Sequence, residues 1–134
     1  MNGLIQLVAR LMLALIFVLA GWEKLQDPVG TAGYMQSMGV PSLLLWPTVV
    51  LELVGGLALA FGYKTRIAAF ALAAFTIATA YIFHSNFSDQ MQMIMFLKNI
   101  AIAGGLLMVA ASGITAYSID DRRRQSNFFG TRQG

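Results

Sequence analysis

Cysteine is absent from this chain, histidine occurs once, and nine basic and six acidic side chains are spread over 134 residues. Without thiols there is no disulfide, no thiolate nucleophile and no Cys-ligated zinc or iron–sulfur cluster, and the chain cannot perform dithiol chemistry itself. The lone His84 leaves a bis-histidine haem dependent on a second chain, and no metal site is expected. Charge is just as scarce, at 11% of residues where an ordinary soluble domain carries about 25%. With 57% of the residues hydrophobic, too few polar side chains remain to coat a surface facing water. The net charge of +3 does not imply nucleic acid as a partner, because the basic residues lie at the ends of apolar runs and in the tail, where membrane topology accounts for them.

What the chain does have is four apolar runs: Leu4 to Gly21, Leu43 to Phe61, Ile67 to Phe83 and Met91 to Ala111. Each is near the roughly 17 to 25 residues that a helix needs to cross hydrocarbon. They predict an all-α integral membrane four-helix bundle over residues 1–116, followed by a basic, weakly structured tail over 117–134. Val18-Leu19-Ala20 also resembles a signal-peptide cleavage site, but a retained first span is the preferred reading. Between the first two spans, Asp27 reads as an N-cap, Pro28 as the first helical residue and Gly39 as the stop, with Pro41 beyond. A short interfacial helix is expected there, with Tyr34, Met35 and Met38 anchoring it to lipid rather than covering the bundle mouth. The five-residue link Gly62 to Arg66 makes the second and third spans antiparallel neighbours. Lys64, Arg66, Arg122, Arg123, Arg124 and Arg132 fall on one side of the membrane and only Lys24 on the other, which places both termini in the cytoplasm.

A charge at bilayer depth costs at least about 2.5 to 3.5 kcal/mol on insertion scales, so it normally faces a partner or a cavity. Glu52, near the middle of the second span, shares its helix face with Thr48, Gly55 and Gly56, and Pro47 marks the start of that helix or a kink in it. Arg10, Gly21 and Lys24 share one face of the first span. A stripe of Ala69, Ala73, Thr76 and Ala80 in the third span ends at His84, and the fourth span carries Lys98 and Asn99. Lys98 is the expected counter-charge of Glu52. Counting Arg10 as well leaves one surplus cation at depth, unless Arg10 snorkels to the near interface. A surplus cation beside hydrogen-bond donors suits a quinone carbonyl or a small anion, with Glu52 or His84 exchanging protons. The candidate ligand-binding set is therefore Arg10, Lys24, Glu52, His84, Lys98 and Asn99; the same charges could also serve only to bridge helices.

The order GWEKLQDP, LELVGG, GYKTR, His84, FLKNIAIAGGLL and a closing SID resembles the DoxX family of small bacterial membrane proteins. The match departs at Ser112-Gly113-Ile114-Thr115, where the family pattern has a Gly-Pro-Gly-like turn. The resemblance implies a four-helix protein of the bacterial inner membrane. Some relatives are associated with thiosulfate:quinone oxidoreduction and others with membrane complexes that handle oxidative or thiol stress. Lys24, Glu52, His84, Lys98 and Asn99 are the matching polar positions. Three readings stay open. One is a subunit, catalytic or auxiliary, that binds quinone or a small anion near Glu52 and Lys98 while a soluble redox partner supplies the electrons. The others are a small transporter or proton relay built as a homo-oligomer, and a non-enzymatic scaffold.

Overall fold

The structure is a computed structural model that describes residues 2–112 and 117–130. It contains α1 (Asn2–Gln26), α2 (Pro28–Ser37), α3 (Leu45–Phe61, entered through a 3-10 turn at Ser42–Leu44), α4 (Thr65–Phe83), α5 (Gln90–Ser112) and α6 (Ile119–Gly130). No strand occurs among the described residues. Four helices, α1, α3 with its entry turn, α4 and α5, are 19 to 25 residues long and apolar enough to span a bilayer. Pro47 falls in the first turn of α3, where its missing N–H leaves no helical bond unmade.

Side-chain size is distributed inside out. The interior is built of Ala14, Ala69, Ala73, Ala103 and Ala110 around Phe17, Leu59, Leu72 and Leu106, whereas Leu4, Ile5, Met12, Val54, Phe61 and Met108 point outward. In water such a surface would be an aggregation hazard. In lipid it costs nothing, and helix association depends on small residues that let backbones approach. Gly56 shows this directly, since a Cβ there would lie 3.0 Å from Val18 Cγ2 and 3.2 Å from Phe17 Cβ. α1 packs tightly on α3 and α4 on α5, α3 meets α4 less closely, and α1 and α5 scarcely touch. The larger core cluster, around Phe17, Leu59, Leu72 and Leu106, fills the half of the bundle toward α6. A smaller one, Met35, Leu45 and Val49, lies at the α2 end.

α2 begins as its sequence predicts, with the Asp27 carboxylate accepting the Gly30 N–H at 3.0 Å and Pro28 in the first turn. It ends before Gly39, whose φ of 78° suits a residue without a Cβ. Of the three residues expected to anchor it to lipid, Tyr34 and Met38 are exposed, and Met35 is corrected to an inward position. Tyr34 stacks on Phe83 with ring centroids 5.5 Å apart, and Met35 is buried against Leu45 and Val49. Only one residue separates α2 from α1, so it folds back as a roof over the bundle mouth.

The expectation of a weakly structured tail is also corrected. Residues 119–130 form a helix, with Asp120 and Asp121 in its first turn, where the macrodipole favours anions, and the Ser118 hydroxyl accepting the Asp121 N–H at 3.0 Å. The chain departure at 113–115, the 116/117 boundary and Arg132 lie outside the described residues.

Candidate functional site

In α3 the residues Leu45, Val49, Glu52, Gly56 and Leu59 form the buried stripe, at steps of four and three that keep one face toward α1. Glu52 therefore occupies a seam position that an apolar residue would ordinarily fill. On α1 the buried stripe is Arg10, Ala14, Phe17 and Gly21, with Lys24 the next member. Gly21 is level with Glu52, and a Cβ on it would lie 3.3 Å from Glu52 Cβ and 2.7 Å from Leu53 Cγ. This close approach lets Lys24, one turn further on, reach back. Its Nζ donates to both carboxylate oxygens of Glu52, at 3.0 and 2.9 Å. The Glu52 side chain is 5% exposed and that of Lys24 25%.

The pair forms part of the wall of a cavity of about 810 Å³ between the four spans, roofed by α2. Phe17, Leu51, Phe75 and Ile102 supply apolar walls, and Thr76, Thr79, His84 and Asn99 supply polar groups. The Thr76 hydroxyl donates to Leu72 O at 2.7 Å and that of Thr79 to Thr76 O at 2.9 Å, so both are committed to the helix backbone. Asn99 Nδ2 donates weakly to Thr79 Oγ1 at 3.4 Å, and its Oδ1 has no partner among the described residues. The His84 imidazole at the C-cap of α4 likewise has none. The volume falls within the roughly 300 to 1,000 Å³ of small-molecule sites, which are mostly apolar with a few fixed polar groups.

Of the six candidate residues, Lys24, Glu52, His84 and Asn99 come together here, and two do not. Lys98 is not the counter-charge of Glu52; it is exposed on α5 and makes no ion pair among the described residues. α1, antiparallel to α3 and sealed against it at Gly21 and Gly56, supplies the cation instead. Arg10 is buried, 1% exposed, at the opposite end. There it donates to Tyr117 O at 2.9 Å and Ala60 O at 3.4 Å, tying α1 to the segment that leads into α6. The surplus cation inferred at the site is therefore absent, because Arg10 has left it and Lys24 is matched by Glu52.

Around Arg10 a second polar knot appears, centred on a residue that carried no expected role. The Asp120 carboxylate accepts Lys64 N–H, Thr65 N–H and the Thr65 hydroxyl, each at 2.8 Å, and so caps the N-terminus of α4 from 55 residues downstream. Burial works against its ionisation, but these bonds and the charge of Arg123 outweigh that and hold the carboxyl below its ordinary range. Gly62, with φ 70°, closes α3 against this knot, and a Cβ there would collide with Ser118 Cβ. The only signal in the sequence was the SID triplet, which says nothing about its partner.

Among the described residues no group of His, Asp and Glu could hold a metal ion. No solved structure matches the chain. Inner membrane protein YqjF of Escherichia coli (strain K12) is 47% identical over 114 residues, 85% of this chain and 88% of that protein. Inner membrane protein YphA of the same strain is 36% identical over 123 residues, covering 87% and 88%. CatD of Bacillus subtilis (strain 168), whose name places it provisionally among oxidoreductases, is 36% identical over 61 residues, 46% of each chain. The DoxX family profile matches residues 5–85, from the start of α1 past His84, so the Lys24–Glu52 pair, the α2 roof and the α4 wall lie within it, whereas the α5 wall with Met95, Asn99 and Ile102 lies beyond it. Matched by that profile over most of its length and by YqjF almost end to end, this multi-pass membrane chain belongs to the DoxX family.

Proposed function

We propose that this protein binds a quinone in the cavity beside Lys24 and Glu52, as the membrane subunit of a redox complex of the bacterial inner membrane. The observation that carries the reading is the neutral Lys24–Glu52 pair in the wall of a largely apolar cavity of about 810 Å³. A small anion needs an uncompensated cation, and none stands among the described residues that line the cavity, since Lys24 is matched by Glu52, Arg10 lies at the far end and Lys98 is outside the lining. A quinone is uncharged and asks only for donors to its carbonyls. Lys24 retains a proton beyond its two bonds to Glu52, and Asn99 and His84 present further polar groups. Without cysteine the chain has no dithiol of its own to oxidise, so in this proposal the two electrons that make a quinol are supplied by a soluble redox partner protein. His84, near the mouth, is suited to pass the accompanying protons. The provisional oxidoreductase name of CatD is consistent with a redox role.

A transmembrane path is disfavoured by the packed cluster around Leu59, Leu72 and Leu106, which fills the bundle between the cavity and the α6 end. The orientation with both termini cytoplasmic is supported by the basic residues at the α6 end and by the engagement of Lys24 with Glu52, which leaves the α2 end without a free cation in its loops. Native mass spectrometry of the protein released from nanodiscs containing quinone tests the proposal. A quinone-mass adduct on the parent is expected to disappear in Glu52→Gln and in Lys24→Met. An adduct that persists in both refutes it.

A further inference from the structure

The walls of the cavity are not equally closed. α1 and α5 scarcely touch, and they approach at Gly105, where a Cβ would lie 3.3 Å from Leu13 Cδ2. From that point toward α2 the facing residues are Ile16 and Ala20 on α1 and Met95 and Ile102 on α5, all of which line the cavity. Ile16 and Met95 are nevertheless 48% and 42% exposed. Side chains that line a cavity and also face outward mark a gap in its wall. Because α2 covers the end of the bundle through Tyr34 and Met35, this gap faces the bilayer. Lys98 lies seven residues before Gly105, close to two whole turns, and so on the same flank of α5, about 10 Å nearer the roof. This places an exposed cation beside the gap. Glu23, exposed on α1, lines the cavity on the same side.

We infer that the α1–α5 seam is the entrance to the cavity from the bilayer. The ligand is then a lipid-phase molecule whose polar head rests at the Lys24–Glu52 pair while its hydrocarbon tail leaves between Ile16 and Met95. This rests on the quinone reading of the cavity and adds to it the route, the tail and a role for Lys98. The cavity holds a ring-sized head but not a long isoprenoid chain, so the tail needs a way out. Between Ile16 and Met95 the seam is apolar, as a tail requires, and Lys98 on its lip gives an entering carbonyl its first hydrogen-bond donor.

The test uses the full chain in nanodiscs and a benzoquinone with a long isoprenoid tail, carrying a diazirine either on the ring or in the tail, with labelled residues located by peptide mapping. The ring probe is expected on the cavity walls near Glu52 and the tail probe on Ile16, Leu19 or Met95. Lys98→Met is expected to slow labelling severalfold, and an unchanged rate would overturn the part assigned to Lys98. Tail label on Pro47, Ala78 or Ile82, across the same cavity between α3 and α4, overturns the seam route. If ring labelling is then still lost in Glu52→Gln and in Lys24→Met/Glu52→Gln, which strands no charge, the site itself stands. Ring label that avoids the cavity and is indifferent to these variants overturns the quinone reading and the route with it.

Discussion

Cutting the Lys24–Glu52 pair from its two sides is expected to cost unequal amounts. In Lys24→Met the remaining Glu52 side chain is 5% exposed and lies in the α1–α3 seam, with no other hydrogen-bond donor to its carboxylate among the described residues. Stranding a buried charge in this way typically costs about 3 to 5 kcal/mol. In Glu52→Gln the stranded group is the ammonium of Lys24, whose side chain is 25% exposed and whose flexible stem can carry it toward the rim. The cost should fall to about 1 to 2 kcal/mol, the order of a polar contact left unmade. The double variant strands no charge and should be more stable than Lys24→Met alone, with a coupling of about 2 kcal/mol between the two sites. Equilibrium unfolding in mild detergent titrated with SDS, followed by helical circular dichroism, resolves differences of this size. A Glu52→Gln variant as costly as Lys24→Met, or two effects that simply add, would show that the pair is not a coupled ion pair with one buried and one rim-facing partner.

The other knot makes separate predictions. Asp120 has a native pKa below its unfolded value, so the stability it contributes is fully present above the ordinary carboxylate range near pH 4 and is lost as pH falls through its lowered native value. The protection factor for hydrogen exchange in the first turn of α4, with the intrinsic pH dependence of amide exchange divided out, should be flat from pH 8 to about 5, fall only at stronger acid, and lose that dependence in Asp120→Asn. Gly62→Ala combines a φ of 70° with a collision at Ser118 and should cost about 1 to 3 kcal/mol, read as a lower midpoint in the same SDS titration. Arg10→Met leaves the carbonyls of Tyr117 and Ala60 without this donor. It should loosen α6 to trypsin at Arg122 to Arg124 while leaving the quinone adduct intact, because the two knots occupy opposite ends of the bundle.

The four spans were legible in the sequence because crossing hydrocarbon demands length and apolarity, which any window of residues displays. The start and stop of α2 were equally legible, since Asp27, Pro28 and Gly39 act through neighbouring backbone. The partner of Glu52 was not. Arg10, Lys24 and Lys98 all lie within reach of bilayer depth, and helical angles do not say which span packs against which. The clue was present in Gly21, which shares a face with Lys24 and admits α3 closely enough for the lysine to fold back. Arg10 was beyond such reasoning, because its acceptor at Tyr117 is a backbone carbonyl 107 residues away, and carbonyls leave no mark on a sequence. Asp120 was hidden for the same reason, as a cap supplied by a distant segment.

The uneven packing of the four spans bears on how the protein is made. α1 with α3 and α4 with α5 are the two intimate pairs, joined by the turn at Gly62 to Lys64. As the chain emerges from the ribosome, the first pair can zip together and pair Lys24 with Glu52 before α4 has been synthesised. The second can then form as an independent hairpin. The protein is thus a dimer of hairpins written in one chain, and the halves, expressed separately with a break in the Gly62–Lys64 turn, should find each other in the membrane. If the proposed quinone is held between the halves, it would act as a late fastener and make assembly of the split protein responsive to quinone supply.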